Sequence, residues 1–244
     1  MRQKLYEFIK QLASFLRHTF RKDNPQLPYI ITVLVALTVV VVGINMFIEL
    51  TDTLQEEVLA QYDQQVSDYV TSFRSPVLTE YFIFMTNVGD VYGYAIMFGI
   101  AILAAILYFK RWKYILQTVF VLLLASLSNL MLKRFFDRAR PGVEHMVVVE
   151  TLSYPSGHAM SAMAFYGFII YLFYRFQKRG FLKYLIIALL AIIILSIGIS
   201  RIYLGVHFPS DIAGGYIAGL IWVFFCILLF NLVEVFRRDP KVGS

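Results

Sequence analysis

The stretch SYPSGHAMSAMAFYGFIIYLFY, residues 153–174, starts with serine, tyrosine, proline, serine, glycine and histidine and continues as an almost unbroken apolar run. Such a run is typical of a helix that crosses a bilayer, whose hydrocarbon core needs about 20 apolar residues per helix. The predicted span covers Ala159 to Tyr174, so Ser156 and His158 lie at its mouth. The stretch therefore predicts a membrane protein with reactive side chains at the end of a helix.

The rest of the chain has the same character. Of its 244 residues, 59% are hydrophobic and 16% are charged, whereas soluble domains carry about 25% charged residues. No linker or internal repeat divides the chain, which indicates one membrane domain. The predicted fold class is an all-α integral membrane protein, a bundle of six transmembrane helices. The predicted spans are Pro28 to Ile48, Val91 to Phe109, Tyr114 to Leu132, Ala159 to Tyr174, Tyr184 to Ser200 and Ile212 to Val233. An earlier start of the second span, at Tyr81, would place Asp90 near its outer end.

The distribution of charge predicts how the bundle is oriented. Cytoplasmic loops are enriched in Lys and Arg, and 16 of the 22 basic residues fall in the terminal segments and alternate loops if both termini are cytoplasmic. The first outer loop, Glu49 to Glu80, carries seven acidic residues and only one basic residue, Arg74. Both observations favour the same orientation, with both termini inside the cell.

The N-terminal segment, residues 1–27, has a different pattern from the membrane domain, residues 28–244. Apolar residues recur in it at helical spacing, which is typical of an amphipathic helix on the inner membrane surface. These residues are Leu5, Phe8, Ile9, Leu12, Phe15, Leu16 and Phe20. A periodic pattern without a small-residue cleavage site is not that of a secretory signal.

The composition excludes several classes of function. Cys226 is the only cysteine and lies in the apolar run IWVFFCILLF, so neither a disulfide framework nor a thiolate metal site can form. The net charge of +6 is spread among the apolar spans and not gathered on one polar face, so no nucleic-acid partner is predicted. No protein partner is predicted either.

Five basic residues break the charge rule because they lie at outer helix ends. They are Lys133, Arg134, Arg138, Arg140 and Arg201. Basic residues held there against the topological trend indicate an anionic ligand or lipid headgroups. Arg134 and Arg138 could assist catalysis, but contact with lipid headgroups or loop solvent is the favoured expectation. Asp137 is expected to be a surface charge.

Three unusual sequences occupy these outer ends: KRFFDRARP (133–141), YPSGHA (154–159) and SRIYLGVHFPSD (200–211). The predicted topology brings them to one membrane face. His158 and His207 can transfer protons or attack an electrophile near neutral pH. Asp211 lies four residues after His207, close enough to fix its tautomer. The start of a helix at Gly157 offers amide groups to an anion. Cations, amides and two histidines together indicate phosphoryl transfer through a phosphohistidine.

These sequences resemble the signature of the type 2 phosphatidic acid phosphatase superfamily, membrane-embedded lipid phosphatases related to vanadium haloperoxidases and glucose-6-phosphatase. The signature reads Lys, six residues, Arg-Pro; then Pro-Ser-Gly-His; then Ser-Arg, five residues, His, three residues, Asp. In this chain Lys133, Arg140-Pro141, residues 155–158, Ser200-Arg201, His207 and Asp211 match every fixed position.

The resemblance implies a role for each matching residue. His207 is expected to attack phosphorus, Asp211 to orient it, and His158 to protonate the departing oxygen. The phosphate oxygens are expected to bind to Lys133, Arg140, Ser156, Gly157 and Arg201. Fixed cations would then do what a metal does in other phosphatases, so neither a metal nor another cofactor is expected.

The substrate implied by the resemblance is a membrane lipid phosphate, with its tail in the bilayer and its phosphate at the mouth of the helices. An isoprenoid diphosphate such as undecaprenyl diphosphate, or phosphatidylglycerol phosphate, is expected to lose its terminal phosphate at the extracytoplasmic face of a bacterial plasma membrane. Phosphatidic acid is a further candidate. Nothing in the sequence distinguishes these lipids.

Three alternatives remain. A transporter or channel could use intramembrane charge, but here the charges lie at helix ends. An intramembrane serine protease could use Ser156, but it would not require a surplus of cations and the Gly-x-Ser-x-Gly motif is absent. A metal bound by His207 and Asp211 would favour a continuous helix between them, which Pro209 disfavours.

Overall fold

A computed structural model describes Glu7, Lys10 and residues 27–104, 112–142, 145–148, 152–176 and 180–238. Within these residues the protein is all-helical, without a strand. The chain divides into two compact units, residues 40–223 and residues 1–39 together with 224–244. All residues of the site described below belong to the first unit. The predicted amphipathic segment lies outside the described residues except for Glu7 and Lys10, and remains a prediction.

The described residues form eight α-helices and one short 3₁₀ turn, Thr53–Gln55. The helices are α1 (Leu27–Asp52), α2 (Glu57–Thr71), α3 (Pro76–Val88), α4 (Val91–Ala104), α5 (Trp112–Phe136), α6 (Gly157–Phe176), α7 (Phe181–Tyr203) and α8 (Pro209–Arg238). Five of them are long and apolar enough to cross a bilayer, and α3 with α4 makes a sixth candidate. The protein is therefore a multi-pass membrane protein, and five of the six predicted spans coincide with single helices.

The second predicted span begins at Val91, where α4 also begins, and the earlier start at Tyr81 would run across a break in the helix. Helices α3 and α4 meet at an angle of 68°, with Gly89 and Asp90 at the break. A Cβ atom on Gly89 would lie 2.6 Å from Ile197 Cγ2, so only glycine allows this close approach to α7. Asp90 starts the second half, because its Oδ1 accepts a hydrogen bond of 2.7 Å from the Val91 amide. Asp90 thus lies at a bend, not at the end of a straight span.

The segment treated as the first outer loop is largely helical. It contains α2 and the start of α3. Arg74, between the two helices, donates from Nε and Nη2 to the Tyr203 carbonyl at 3.1 and 2.9 Å. The Ser75 amide donates to the Tyr203 hydroxyl at 2.9 Å. The segment is therefore anchored to the C-terminal end of α7, the helix that carries Arg201.

The core that supports the site is centred on α6. This helix packs against α5 and α7, and its Phe165 and Tyr166 side chains are fully buried. Tyr94 of α4 meets the Phe165 ring edge to face with centroids 5.4 Å apart, and Ile194 and Ile197 of α7 belong to the same cluster. Close packing of this kind fixes the positions of the helix ends that carry the polar residues.

Candidate active site

The three unusual sequences converge on one end of α5, α6 and α7. Lys133 lies in the last turn of α5, His158 in the first turn of α6 and Arg201 in the last turn of α7. His207 lies in the turn before α8, and the Ser156 amide donates to the Asp211 carbonyl at 3.0 Å. His158 interacts electrostatically with His207 and with the cations Lys133, Arg140 and Arg201. The predicted site residues therefore form a single cluster.

Local sequence explains how each segment enters the cluster. At the end of α5, Asp137 adopts a left-handed φ of 45°, a conformation that terminates helices. The chain then continues without regular structure through Arg138 and Arg140. On the next segment, Asn129 Nδ2 donates to the Pro155 carbonyl at 3.0 Å. A Cβ on Gly157 would lie 2.9 Å from Asn129 Oδ1, so glycine allows α6 to begin against α5.

His207 and Asp211 form a buried pair, with side-chain exposures of 2% and 0%. His207 Nδ1 lies 3.3 Å from Asp211 Oδ2. The same oxygen accepts hydrogen bonds from Ser153 Oγ at 2.5 Å and from the Phe208 amide at 2.8 Å. Helix α8 begins at Pro209, so His207 precedes the helix that carries Asp211. The continuous helix that the metal alternative favours is therefore not present.

The other nitrogen of His207 faces a cation. Arg140 Nη1 lies 3.3 Å from His207 Nε2, and it also donates to the Val206 carbonyl at 2.6 Å. Because arginine has no acceptor atom, Nε2 accepts this hydrogen bond. The neutral ring then carries its proton on Nδ1, where Asp211 binds it. The tautomer places a lone pair on Nε2, which can attack an electrophile once Arg140 binds another acceptor.

Burial determines the protonation state of His207. Removal from solvent lowers its pKa from 6.5 to about 4, against the hydrogen bond and charge of Asp211, which raise it. The nearby cations Arg201 and Arg140 lower the pKa further. His207 is therefore neutral near pH 7, the protonation state that a nitrogen nucleophile requires.

Two buried polar atoms of the same cluster have no hydrogen-bond partner among the described residues. They are Ser156 Oγ and Arg201 Nε. Within the described residues, Arg201 donates a hydrogen bond from Nη1, to Thr86 Oγ1, and none from Nε. Buried polar groups almost always have a hydrogen-bond partner, so two such atoms without one indicate a bound ligand or water. Both atoms are donors, and they suit the oxygen atoms of an oxyanion.

Lys133 and the first turn of α6 extend this set of donors. Lys133 is 8% exposed, and its Nζ donates to the Leu152 carbonyl at 2.7 Å. The first amides of a helix have no acceptor within the helix and carry partial positive charge, and α6 begins at Gly157. The cluster can therefore hold an anionic group against His207 Nε2.

His158 also lines a cavity of about 530 Å³ between α4, α5 and α6. Four polar side chains line it, those of Asp90, Ser126, His158 and Ser161. They are outnumbered by the rest of the lining, which consists of Gly89, Val91, Tyr94, Ala95, Phe98, Val119, Leu122, Leu123 and Gly157. An apolar chain could lie in this cavity with its polar end next to His158.

The favoured expectation for Arg138 was wrong, and its contacts favour the alternative of a role beside the catalytic residues. Its guanidinium does not serve lipid headgroups or solvent: Nη1 donates to Asp211 Oδ1 at 2.7 Å, and Nη2 donates to Asp63 Oδ2 at 2.9 Å. The sequence contains a signal that was not used, because residues two apart in an extended segment point to the same side, and Arg138 is two residues before Arg140. Arg134 and Asp137 are exposed, as expected.

Three further residues of the cluster were missed. Asp63 is one of seven acidic residues in the first outer loop, and no spacing sets it apart from the others. Thr86 and Ser153 are ordinary polar residues whose contacts with Arg201 and Asp211 depend on tertiary packing. Within the described residues, no group of three or more His, Cys, Asp or Glu side chains is placed to hold a metal ion.

Comparison with known proteins agrees with this arrangement. Residues 114–233 match the family model of the PAP2 superfamily. The chain is 31% identical over 201 residues to phosphatidylglycerophosphatase B of Bacillus subtilis. The aligned region covers 80% of this chain and 93% of that protein. A shorter match, 38% identical over 91 residues, covers 37% of this chain and 36% of the bacitracin transport permease protein BcrC of Bacillus licheniformis.

Solved structures show the same fold. The crystal structure of a transmembrane PAP2 type phosphatidylglycerolphosphate phosphatase from Bacillus subtilis superposes with a TM-score of 0.70 at 26% identity, over 82% of this chain and 98% of that chain. The crystal structure of Aquifex aeolicus LpxE gives a TM-score of 0.55 at 24% identity, over 67% of this chain and 93% of that chain. With its three motifs gathered at one end of a helical membrane domain, this chain belongs to the PAP2 superfamily.

Proposed function

We propose that this protein is a membrane lipid phosphatase that transfers a phosphoryl group from its substrate to His207 and then to water. The observation that carries the proposal is the placement of His207. Its Nε2 faces Arg140 and its Nδ1 faces Asp211, while two buried donors of the same cluster, Ser156 Oγ and Arg201 Nε, lack partners within the described part of the chain. The similarity to phosphatidylglycerophosphatase B supports a lipid phosphate as substrate.

In the first step, the terminal phosphate binds to the cluster of donors that consists of Lys133, Arg140, Ser156, Gly157 and Arg201. One phosphate oxygen replaces His207 Nε2 as a partner of Arg140. The lone pair of Nε2 attacks phosphorus as the bond between phosphorus and the lipid oxygen breaks. The bound anionic phosphate stabilises His158 in its protonated form, and His158 donates that proton to the lipid oxygen. Asp211 stabilises the positive charge that develops on the His207 imidazole.

In the second step, water releases the phosphate. His158, which gave up its proton in the first step, accepts one from the attacking water. The oxygen of that water bonds to phosphorus as the P–N bond to His207 breaks. Inorganic phosphate leaves, and both histidines return to their starting protonation states.

Fixed positive charge supports the proposal that no metal takes part. Phosphoryl transfer is catalysed mainly by positioning and by neutralisation of charge on the phosphate oxygens. Lys133, Arg140 and Arg201 all lie within the electrostatic reach of His158, so three cations are available for this role. We therefore expect full activity in the presence of a chelator.

The cavity beside His158 supports a substrate with an apolar tail. Its lining is mostly apolar and reaches the proton donor, which suits a lipid oxygen that leaves towards α4 and α5. An isoprenoid diphosphate, phosphatidylglycerol phosphate and phosphatidic acid share this chemistry. The charge distribution of the sequence supports an extracytoplasmic site in a bacterial plasma membrane.

One experiment separates this function from transport, which the name of the partial relative BcrC suggests for that protein. Purified protein in detergent is presented with a panel of lipid phosphates, with and without a chelator, beside His207→Ala. A phosphatase releases inorganic phosphate without any membrane gradient, and the variant should be inactive. Absence of turnover on the whole panel would favour transport, and full turnover by the variant would exclude His207 as nucleophile.

A further inference from the structure

Asp63 occupies an unusual position on α2. It is 2% exposed and is the buried residue of a helix whose other described side chains are exposed or half-buried. Three donors bind its carboxylate: the Ser210 amide at 2.8 Å, Ser210 Oγ at 2.6 Å and Arg138 Nη2 at 2.9 Å. A buried carboxylate is stable only when it is paired and hydrogen-bonded. Asp63 meets this condition through Ser210, which directly precedes Asp211 in the sequence, and through Arg138, which binds Asp211.

Arg138 connects Asp63 to Asp211. Its Nη2 binds Asp63, and its Nη1 binds Asp211 Oδ1 at 2.7 Å and Ser210 Oγ at 2.8 Å. The guanidinium is planar and rigid, so Asp63, together with the Ser210 side chain that it binds, determines where Nη1 points. The ring of Phe208 lies against the guanidinium, 4.5 Å from ring centroid to Cζ, and limits its movement.

The two oxygens of Asp211 have separate partners. Oδ1 accepts from Arg138, whereas Oδ2 lies against His207 Nδ1 and accepts from Ser153 and the Phe208 amide. A partial rotation of the carboxylate would break the bond to Arg138 and move Oδ2 away from His207 Nδ1. The contact with Arg138 therefore fixes the plane of the carboxylate relative to the imidazole.

We propose that Asp63 is a positioning residue, which holds Asp211 in the orientation that His207 requires by means of Arg138. The inference rests on the proposed function of His207 as nucleophile. It makes α2, a helix outside the three signature motifs, part of the catalytic unit. Neither Asp63 nor Arg138 belongs to the proposed phosphate cluster, so the loss of this connection should slow the reaction and should not weaken substrate binding.

The primary variant is Asp63→Asn, which keeps the shape of the side chain and removes its charge. Arg138 then loses one of two carboxylate partners and no longer holds Asp211 Oδ1 in a fixed direction. We expect kcat to fall at least about tenfold, because a hydrogen bond to a charged group is lost, while KM changes less than about twofold. The matched control is Glu57→Gln on the same helix, where the side chain is exposed and activity should be unchanged.

A double-mutant cycle tests the route of the effect. If Asp63 acts through Asp211, Asp63→Asn should cause no further loss of kcat in an Asp211→Asn background, because coupled residues are not additive. Arg138→Lys, which cannot bridge both carboxylates, should resemble Asp63→Asn and provides the test if that variant does not fold. An equal loss in both backgrounds, an unchanged kcat, or a rise in KM alone would overturn the proposal.

A spectroscopic readout separates this proposal from the proposed function. In ¹⁵N-histidine-labelled protein, the proton on His207 Nδ1 is assigned by its loss in His207→Gln. Asp63→Asn should shift this resonance or speed its exchange with water, and Glu57→Gln should not. This result is expected even if the protein hydrolyses no lipid phosphate. The absence of hydrolysis would overturn the proposed function but not the positioning role. An unchanged resonance in folded Asp63→Asn would overturn the positioning role.

Discussion

Arg140 Nη1 lies 3.3 Å from His207 Nε2, on the side of the imidazole opposite Asp211. One ring therefore contacts a cation at one nitrogen and an anion at the other, where Nδ1 lies 3.3 Å from Asp211 Oδ2. The cation marks the place where a phosphate would lie in front of Nε2. The anion fixes the proton on Nδ1 and leaves Nε2 unprotonated.

The first prediction concerns this cation. Arg140→Lys should raise KM by about tenfold, because a lysine cannot reproduce the paired donors of a guanidinium. Inhibition by inorganic phosphate should weaken to a similar extent. Arg134→Lys, at an exposed arginine in the last turn of α5, is the control and should change neither value. Unaltered inhibition by phosphate in Arg140→Lys would show that Arg140 does not bind the phosphate.

The second prediction concerns His158 as proton donor. His158→Ala should lower kcat by about 10² to 10⁴ for an alkyl phosphate, the range for loss of a general acid. The loss should be much smaller for an aryl phosphate, whose leaving group needs no proton. Rates for a series of substrates with different leaving groups provide the measurement. An equal loss for all of them would assign His158 to binding and not to proton transfer.

The third prediction concerns the apolar cavity. Leu122→Trp should fill part of it and raise KM for long-chain lipid phosphates several-fold, while a short, water-soluble phosphate ester should be hydrolysed as before. Leu127→Trp places the same ring on the exposed side of α5, where Leu127 is 55% exposed, and is the control. If both substrates are affected equally, the substrate tail does not lie in this cavity.

The fourth prediction follows from the lowered pKa of His207, about 4 in the folded protein against about 6.5 in an unfolded chain. Between these values the unfolded state binds more protons, so the free energy of unfolding falls as the pH decreases and is fully restored above pH 6.5. The difference corresponds to about 3 kcal/mol. His207→Gln should lose this part of the pH dependence in thermal denaturation from pH 7 to 4. An identical dependence in both proteins would mean that His207 is not buried in its neutral form.

Much of the architecture could be predicted because apolar length and charge distribution leave few choices for a chain in a bilayer. The predicted residues His158, His207 and Asp211 do converge, because their motifs lie at the ends of packed helices. The break at Gly89 was missed because it depends on the contact with Ile197, a residue more than one hundred positions away. Asp63 was missed for the same reason, since its partner Ser210 is distant in sequence.

The central proposal is that His207 carries the phosphoryl group. The protein is mixed with a lipid substrate that carries ³²P in its terminal phosphate. The reaction is quenched within milliseconds in alkali, which preserves phosphohistidine, and the protein is then digested for mass spectrometry. We predict that the label appears on the peptide that contains His207 and that its amount falls as the substrate is exhausted. No label should appear on the corresponding peptide of His207→Ala. Rapid turnover without any label on this peptide would contradict a covalent intermediate and, with it, the proposed mechanism.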